Sequence, residues 1–285
     1  MKILILGVTG MLGNAVFQVF SGDLDHDTWG TVRSTAALRY FAPQHQPHLL
    51  SGVDVLDQDA LTAVIAEVRP DVVINCVGLI KQLADAKDPL TALPINAMLP
   101  HRLARLCALS GARLIHISTD CVFSGRRGGY LESDVSDAED LYGKSKYIGE
   151  LHDLPHAITL RTSIIGHELN SNHSLVDWFL SQEGSTRGFS KAIFSGLPTA
   201  ELARVMKDFV LPHPELNGLY HVSAEPIAKL DLLTQIASQY GKSIEIRPDA
   251  ALVIDRSLNS ERFTQATGYK APTWPQLIEL MHATR

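Results

Sequence analysis

The chain has 285 residues, 45% of them hydrophobic and 20% charged, a balance typical of a folded globular protein and unlike a disordered, collagenous or membrane-embedded one. Its length fits about two domains, or one large α/β domain with a smaller appended lobe. With 25 basic against 31 acidic residues, a formal net charge of −6 and no basic tract, it has no general electrostatic reason to bind nucleic acid. Cys76, Cys107 and Cys121 lack CxxC spacing, which suggests neither a disulfide framework nor a cysteine zinc site. The first apolar run, Ile3 to Leu6, stops at Gly7, too short for a signal-peptide core or a membrane span. The expectation is a cytoplasmic protein with neither membrane nor nucleic acid as partner.

KILILG reads as a strand buried on both faces, followed by a helix over Met11 to Phe20. Strands are expected at Thr28 to Val32 and Leu49 to Val53, a helix at Asp57 to Val68, and a strand at Asp71 to Asn75. Pro89 to Leu109 looks helical despite Pro94 and Pro100, Arg113 to Ser118 is another apolar strand, and Tyr142 to Leu151 another helix. This alternation predicts an α/β fold, a doubly wound parallel sheet of the Rossmann type buried by helices. Beyond about residue 165 the rhythm loosens, with a polar loop at Asn170 to Ser174, a helix near Leu175 to Gln182 and a Gly/Ser/Thr segment at Gly184 to Ser190. Short strands at Ala192 to Phe194 and Leu219 to Val222 and helices around Glu201 to Val210, Lys229 to Tyr240 and Gln276 to His282 complete a mixed C-terminal part. The expected division is a first domain over 1–165 and a smaller lobe over 166–285, some of whose segments return to the first domain.

GVTGMLG places Gly7, Gly10 and Gly13 between the first strand and the first helix. Glycine there permits a tight turn and a close backbone approach to a pyrophosphate, and the helix N-terminus offers unpaired N–H groups to the anion. Twenty residues past Gly13, where an NAD site places a carboxylate on the ribose, the strand runs into Arg33. An arginine there can pair with a 2′-phosphate, so NADPH is predicted over NADH; the alternative is a solvated surface charge. Asp54 and Val55 are candidates for the adenine pocket, and Asp57 for a helix N-cap.

Tyr142 and Lys146, in YGKSK, share one face of a predicted helix. HISTD upstream would set the Ser118 and Thr119 hydroxyls at the carboxyl edge of the sheet, where open α/β folds bind ligands. Reducing a ketone needs a hydride to carbon and a proton to oxygen. An ammonium beside Tyr142 would stabilise its phenolate and bring its proton affinity toward neutrality, with Thr119 hydrogen-bonding the carbonyl oxygen.

Together GVTGMLG, NCVG, STD and YGKSK resemble the extended short-chain dehydrogenase/reductase superfamily. STDCVFSG, LRTSIIG, GLPTAELARVM, GLYHVS and RSLNSERF narrow the likeness to the dTDP-4-dehydrorhamnose reductases across nearly the whole chain. The resemblance implies reduction of a 4-keto group on a nucleotide-activated 6-deoxyhexose in cell-surface glycan biosynthesis, with Thr119, Tyr142 and Lys146 catalytic. It implies cofactor contacts from Thr9, Met11, Leu12, Cys76, Val77, Gly78, Asn96 and Ser118, besides the glycines, Arg33, Tyr142 and Lys146. Substrate contacts would come from Lys81, Thr119, Asp120, Cys121, Ser163 and His167, with Arg187 and Lys191 set against the diphosphate or simply solvated. TDCVF and GLIKQ depart from the family's usual segments at the sugar site, which leaves a UDP-linked sugar open.

A dehydratase of this superfamily would carry Glu where Cys121 stands, so dehydration is disfavoured. An epimerase-reductase resembling GDP-fucose synthase would use Cys121 and His167 as acid and base, although His167 is out of step with that pattern by one residue. A non-catalytic NADP-binding regulatory subunit is the remaining alternative. The scattered histidines form no HExxH, and no metal site is expected. Trp178 and Trp274 read as packing, and the assembly leaves room for a homodimer.

Overall fold

A computed structural model of the chain describes residues 1–79 and 84–285. Its central sheet holds β1 (Lys2–Leu6), β2 (Asp27–Val32), β3 (Leu49–Ser51), β4 (Val72–Asn75), β5 (Arg113–Thr119), β6 (Ala157–Thr162) and an edge strand, Gly218–His221. All pairings are parallel, in the spatial order edge strand, β6, β5, β4, β1, β2, β3. The order reverses between β1 and β4, and open α/β sheets bind ligands at such a switch point.

The helices over the sheet are α1 (Met11–Ser21), α2 (Gln58–Val68), α3 (Pro89–Ala92), α4 (Leu99–Ser110) and α5 (Leu141–Ile148). Side chains alternate across a strand, and β1 uses both faces: Ile3 and Ile5 pack with Phe17 and Phe20 of α1, whereas Leu4 and Leu6 pack with Leu61 and Ile65 of α2 and Leu103 of α4. Burial on both faces is what made this strand a continuous apolar run.

Pro89 to Leu109 is helical but not uniform, because a π-helical segment, Leu93–Met98, joins α3 to α4. Pro94 and Pro100 bring no backbone N–H to the ladder, and the wider turn accommodates the loss. Among the boundaries, β3 ends at Ser51 and α5 at Ile148, and within the expected helix to Val210 the stretch Met206–Val210 is π-helical. Leu219 to Val222, expected within the lobe, supplies the edge strand of the main sheet, with Leu219 opposite Thr159.

In the C-terminal part, Ser185–Phe189 is a strand paired in parallel with Glu245–Asp249, where the composition had suggested only a polar segment. Ala192–Phe194 pairs with Ile227–Ala228 and Ile254–Asp255. Trp274 packs against Phe194 and donates its indole N–H to Glu225 O, as a packing residue should. Among the described residues no helix is long and apolar enough to cross a membrane.

Helix α5 is wedged tightly. Asp140 caps it by accepting from Gly143 N at 2.8 Å, and a Cβ on Gly143 would come within 2.2 Å of Cys121 O. Gly143→Ala is therefore expected to act as an overpacked site, destabilising by about 1–3 kcal/mol. Calorimetry should record a lower thermal midpoint; an unchanged one would mean the helix has room to shift.

Candidate active site

The glycine turn lies at the switch point. Gly7 has φ +82°, a conformation that side chains disfavour, and a Cβ on Gly13 would sit 2.2 Å from Gly7 O. Gly7 N donates to Thr31 Oγ1 at 3.2 Å, which ties the turn to β2. No side chain caps α1 at Gly10, and a Cβ there would approach only Gly7 O, at 3.4 Å. Among the described residues, the first-turn N–H groups face a cradle that only Gly7 O approaches at Gly10, and the residues fit a dinucleotide pyrophosphate. Thr9 and Met11 are half-buried beside it, while Leu12 is buried in the core. Arg33, just past the end of β2, is exposed and available to a phosphate.

Of the adenine-pocket candidates, Val55 is buried in the core cluster of α2 and α4, and Asp54 is exposed and accepts from Leu56 N at 2.9 Å. Asp57 is the N-cap of α2, accepting from Asp59 N and Ala60 N.

The end of β4 continues the site. Val77 lies against Gly7, and Val77 N donates to Asn75 Oδ1 at 3.1 Å. A Cβ on Gly78 would be 3.6 Å from Asn96 Oδ1 and 3.8 Å from Lys146 Nζ. Asn96, in the π-helical segment, accepts from Leu79 N at 2.9 Å and donates to Ser145 Oγ at 3.2 Å. Burial pushes the Cys76 thiol up to about 12, leaving it a neutral, unreactive group at neutral pH. Lys81 lies outside the described residues.

Thr119, Tyr142 and Lys146 converge at the carboxyl end of β5. Lys146 is buried and donates from Nζ to Ile117 O at 2.7 Å; the burial lowers its ammonium to about 8. Thr119 accepts from Cys121 N at 3.1 Å, donates to Asp120 Oδ1 at 3.2 Å and shares a hydrogen bond with the Tyr142 phenol.

The phenol does not behave as the sequence suggested. Burial, with the negative charge of Cys121, Asp120 and Asp140 nearby, raises its proton affinity above the ordinary tyrosine value, against a smaller opposing contribution from Thr119. Tyr142 therefore stays protonated throughout the neutral range.

Ser118 is also turned otherwise. Its hydroxyl donates to the buried Glu150 Oε1 at 2.6 Å. His167 has both ring nitrogens engaged, Nδ1 with Asp177 Oδ1 at 2.6 Å and Nε2 with the Tyr240 hydroxyl at 2.8 Å. Neither is free for proton transfer to a sugar. Arg187 is 74% exposed at the side chain and is drawn to Asp249. Ser163 is half-buried and its carbonyl accepts from Leu197 N.

Two cations that sequence reading passed over belong here. A cleft of about 270 Å³ is lined by Cys121, Phe123, Arg126, Asp140 and Arg256, among others. Arg256 donates from Nε to Phe123 O at 2.7 Å, and Arg256 and Lys229 both act on the buried Asp120, whose carboxyl is raised by its burial in spite of them. The signal that could have found Arg256 was its place at the head of RSLNSERF; Lys229 has none.

The chain is 31% identical to methionine adenosyltransferase 2 subunit beta of Danio rerio over 252 residues, covering 84% of this chain and 74% of that protein. It is 34% identical to dTDP-4-dehydrorhamnose reductase of Mycobacterium tuberculosis over 152 residues, 46% of this chain and 49% of that protein. Its structure superposes on the dTDP-4-dehydrorhamnose reductase of Bacillus anthracis, crystallised with NADP, with a TM-score of 0.81 at 23% identity, covering 100% of this chain and 98% of that one. The RmlD substrate binding domain model matches residues 1–282, and with the parallel sheet and the Tyr142–Lys146 pair in place, the chain belongs to that family, within the extended short-chain dehydrogenase/reductase superfamily.

Proposed function

We propose that this protein is an NADPH-dependent reductase of the 4-keto group of a nucleotide-activated 6-deoxyhexose, serving cell-surface glycan biosynthesis. The observation that carries the reading is the gathering of Thr119, Tyr142 and Lys146 beside Gly78, next to an open glycine turn. NADPH, held on Gly7, Gly10 and Gly13 with Arg33 at its 2′-phosphate, supplies the hydride when bound; NADH is the weaker alternative. Residues 1–165 serve the cofactor and 166–285 the sugar nucleotide, with Gly218–His221 returned to the sheet.

Within that frame Thr119 orients the keto oxygen, and Tyr142 keeps its proton at Oη until charge develops on that oxygen. A phenol of raised proton affinity is a weaker acid, yet it stays protonated through the neutral range and so is loaded as a donor for the reducing direction. Lys146, still charged below about 8, stabilises the phenolate left behind. Arg256 and Lys229 take the diphosphate ahead of Arg187. The epimerase-reductase alternative loses support because His167 is committed to Asp177 and Tyr240.

A second reading, a non-catalytic regulatory subunit, is favoured by the likeness to methionine adenosyltransferase beta subunits. The two separate on NADPH oxidation with a panel of dTDP- and UDP-linked 4-keto sugars. The first predicts turnover with at least one of them; no turnover with any supports the second.

Three outcomes follow for the active protein. Tyr142→Phe should lose about 10²–10⁴-fold in turnover while retaining NADPH affinity by fluorescence titration, and a near-normal rate would remove Tyr142 as donor. Arg33→Ala should weaken NADPH about 10-fold or more through the lost charge-assisted contact and leave NADH binding unchanged; equal loss for both would show that Arg33 does not read the 2′-phosphate. Because the Lys146 proton is lost as pH rises through about 8 and Tyr142 stays protonated there, kcat/KM should be level below that pH and fall above it. A profile flat to pH 10 would contradict the role given to Lys146.

A further inference from the structure

Behind the site lies a chain of buried charge that the reductase reading does not use. Arg161 on β6 and Glu150, just past the end of α5, are 1% and 3% exposed. Arg161 Nε donates to Glu150 Oε1 at 2.9 Å and Nη2 to Oε2 at 2.5 Å, a two-point pairing of the kind that fixes a carboxylate in orientation. Arg161 Nη1 donates to His221 Nε2 at 2.8 Å, and His221 Nδ1 in turn donates to Tyr130 O at 3.1 Å. His221 is thereby held neutral, its proton affinity lowered to about 3 by burial and by Arg161. The Arg161 guanidinium also lies 4.9 Å over the Phe123 ring.

An ion pair this deep is weak evidence for stability, because desolvation offsets most of the attraction. Its position is more informative. Successive residues of β5 hold Lys146 on α5 and Glu150 just beyond it: Ile117 O accepts from Lys146 Nζ at 2.7 Å, and Ser118 Oγ donates to Glu150 Oε1 at 2.6 Å. The strand thus anchors a cation and an anion at consecutive residues. We propose that Glu150 is a positioning residue for the reduction: anchored by Arg161 and Ser118, its carboxylate supplies the negative charge that keeps buried Lys146 an ammonium. The proposal rests on the catalytic role given to Lys146 above.

Burial alone would drive the Lys146 proton off, and Glu150 is the group that opposes this. The other groups facing Lys146 do not substitute for it. His116 on β5, paired with Asn75 through Nδ1, is held far below its usual range by burial, so it adds no charge at neutral pH. His101 on α4 is tied through Nε2 to Ile148 O, Asn96 and Ser145 are neutral, and Tyr142 keeps its proton. Lys87, in the short turn packed on α5, is exposed. On the far side of Glu150, His152 Nε2 lies 3.8 Å from Oε2.

The test follows the Lys146 Nζ resonance by NMR against pH in lysine-labelled protein, assigned with Lys146→Arg, and runs pH–rate profiles in parallel. Glu150→Gln should lower the Lys146 midpoint by about one pH unit, tenfold in its proton equilibrium, and move the falling limb of kcat/KM to lower pH by the same amount. Glu150→Asp, which keeps the charge, should restore most of both. Should Glu150→Gln alone fail to fold with Arg161 left unpaired, the double variant Glu150→Gln/Arg161→Met removes both charges from the core and should show the same downward direction. A folded variant of either kind whose Lys146 midpoint stays at its wild-type value overturns the proposal. The NMR titration needs no turnover, so a protein that titrates as expected but reduces no sugar defeats the reductase reading and leaves the electrostatic role standing.

Discussion

The contact on which the rest of the site depends is the docking of α5 against the end of β5. One hydrogen bond from Lys146 to Ile117 O and one from Ser118 to Glu150 lock helix to strand, and close packing at Gly143 against Cys121 O and at Gly149 against Asn96 O leaves no slack between them. A tyrosine carried on a looser helix would not hold its hydroxyl at Thr119. The same docking accounts for the charge states. It removes water from Tyr142 and Lys146 together, which raises the phenol and lowers the ammonium, so both move in the direction that favours the neutral form.

In the proposed reduction those opposite displacements divide the labour: the phenol gives up its proton only to a strong base, such as an alkoxide forming as a carbonyl is reduced, and the ionisation of the lysine sets the upper limit of the working range. Four-residue spacing puts Tyr142 and Lys146 on one helix face and says nothing about dehydration or about the carboxylates of Asp120 and Asp140, which raise the phenol.

What could be read directly from residues was the part whose periodicity is local. The continuous apolar run at Ile3 to Leu6 and the glycine pattern after it sit in adjacent positions of the chain, and both stand where expected. Strand β6 was less visible since AITLRT carries Arg161, a residue normally placed at a surface, and only the pairing with Glu150 makes its burial tolerable. Ser185–Phe189 was missed for the opposite reason: STRGF carries a single apolar side chain, Phe189, and has no alternating apolar face to announce a strand. Arg256 and Lys229 reach Asp120 from more than a hundred residues away, a proximity that no single-chain pattern encodes. The displaced His167 tells the same story, its partners Asp177 and Tyr240 being lobe residues met only in three dimensions.

The sheet closes on a segment drawn from late in the chain. Gly218–His221 covers the outer side of Ala157–Thr162 and brings His221 to Arg161, so the parallel sheet is finished only after the polypeptide has run on from Thr162 and returned at Gly218. The two halves are thus threaded rather than strung. During synthesis, the first half must wait with a bare, apolar strand margin until the returning piece arrives, and exposed margins of that kind invite sticking between chains. Evolutionary exchange of the lobe for another would have to preserve that return stitch, which constrains how this architecture can be recombined.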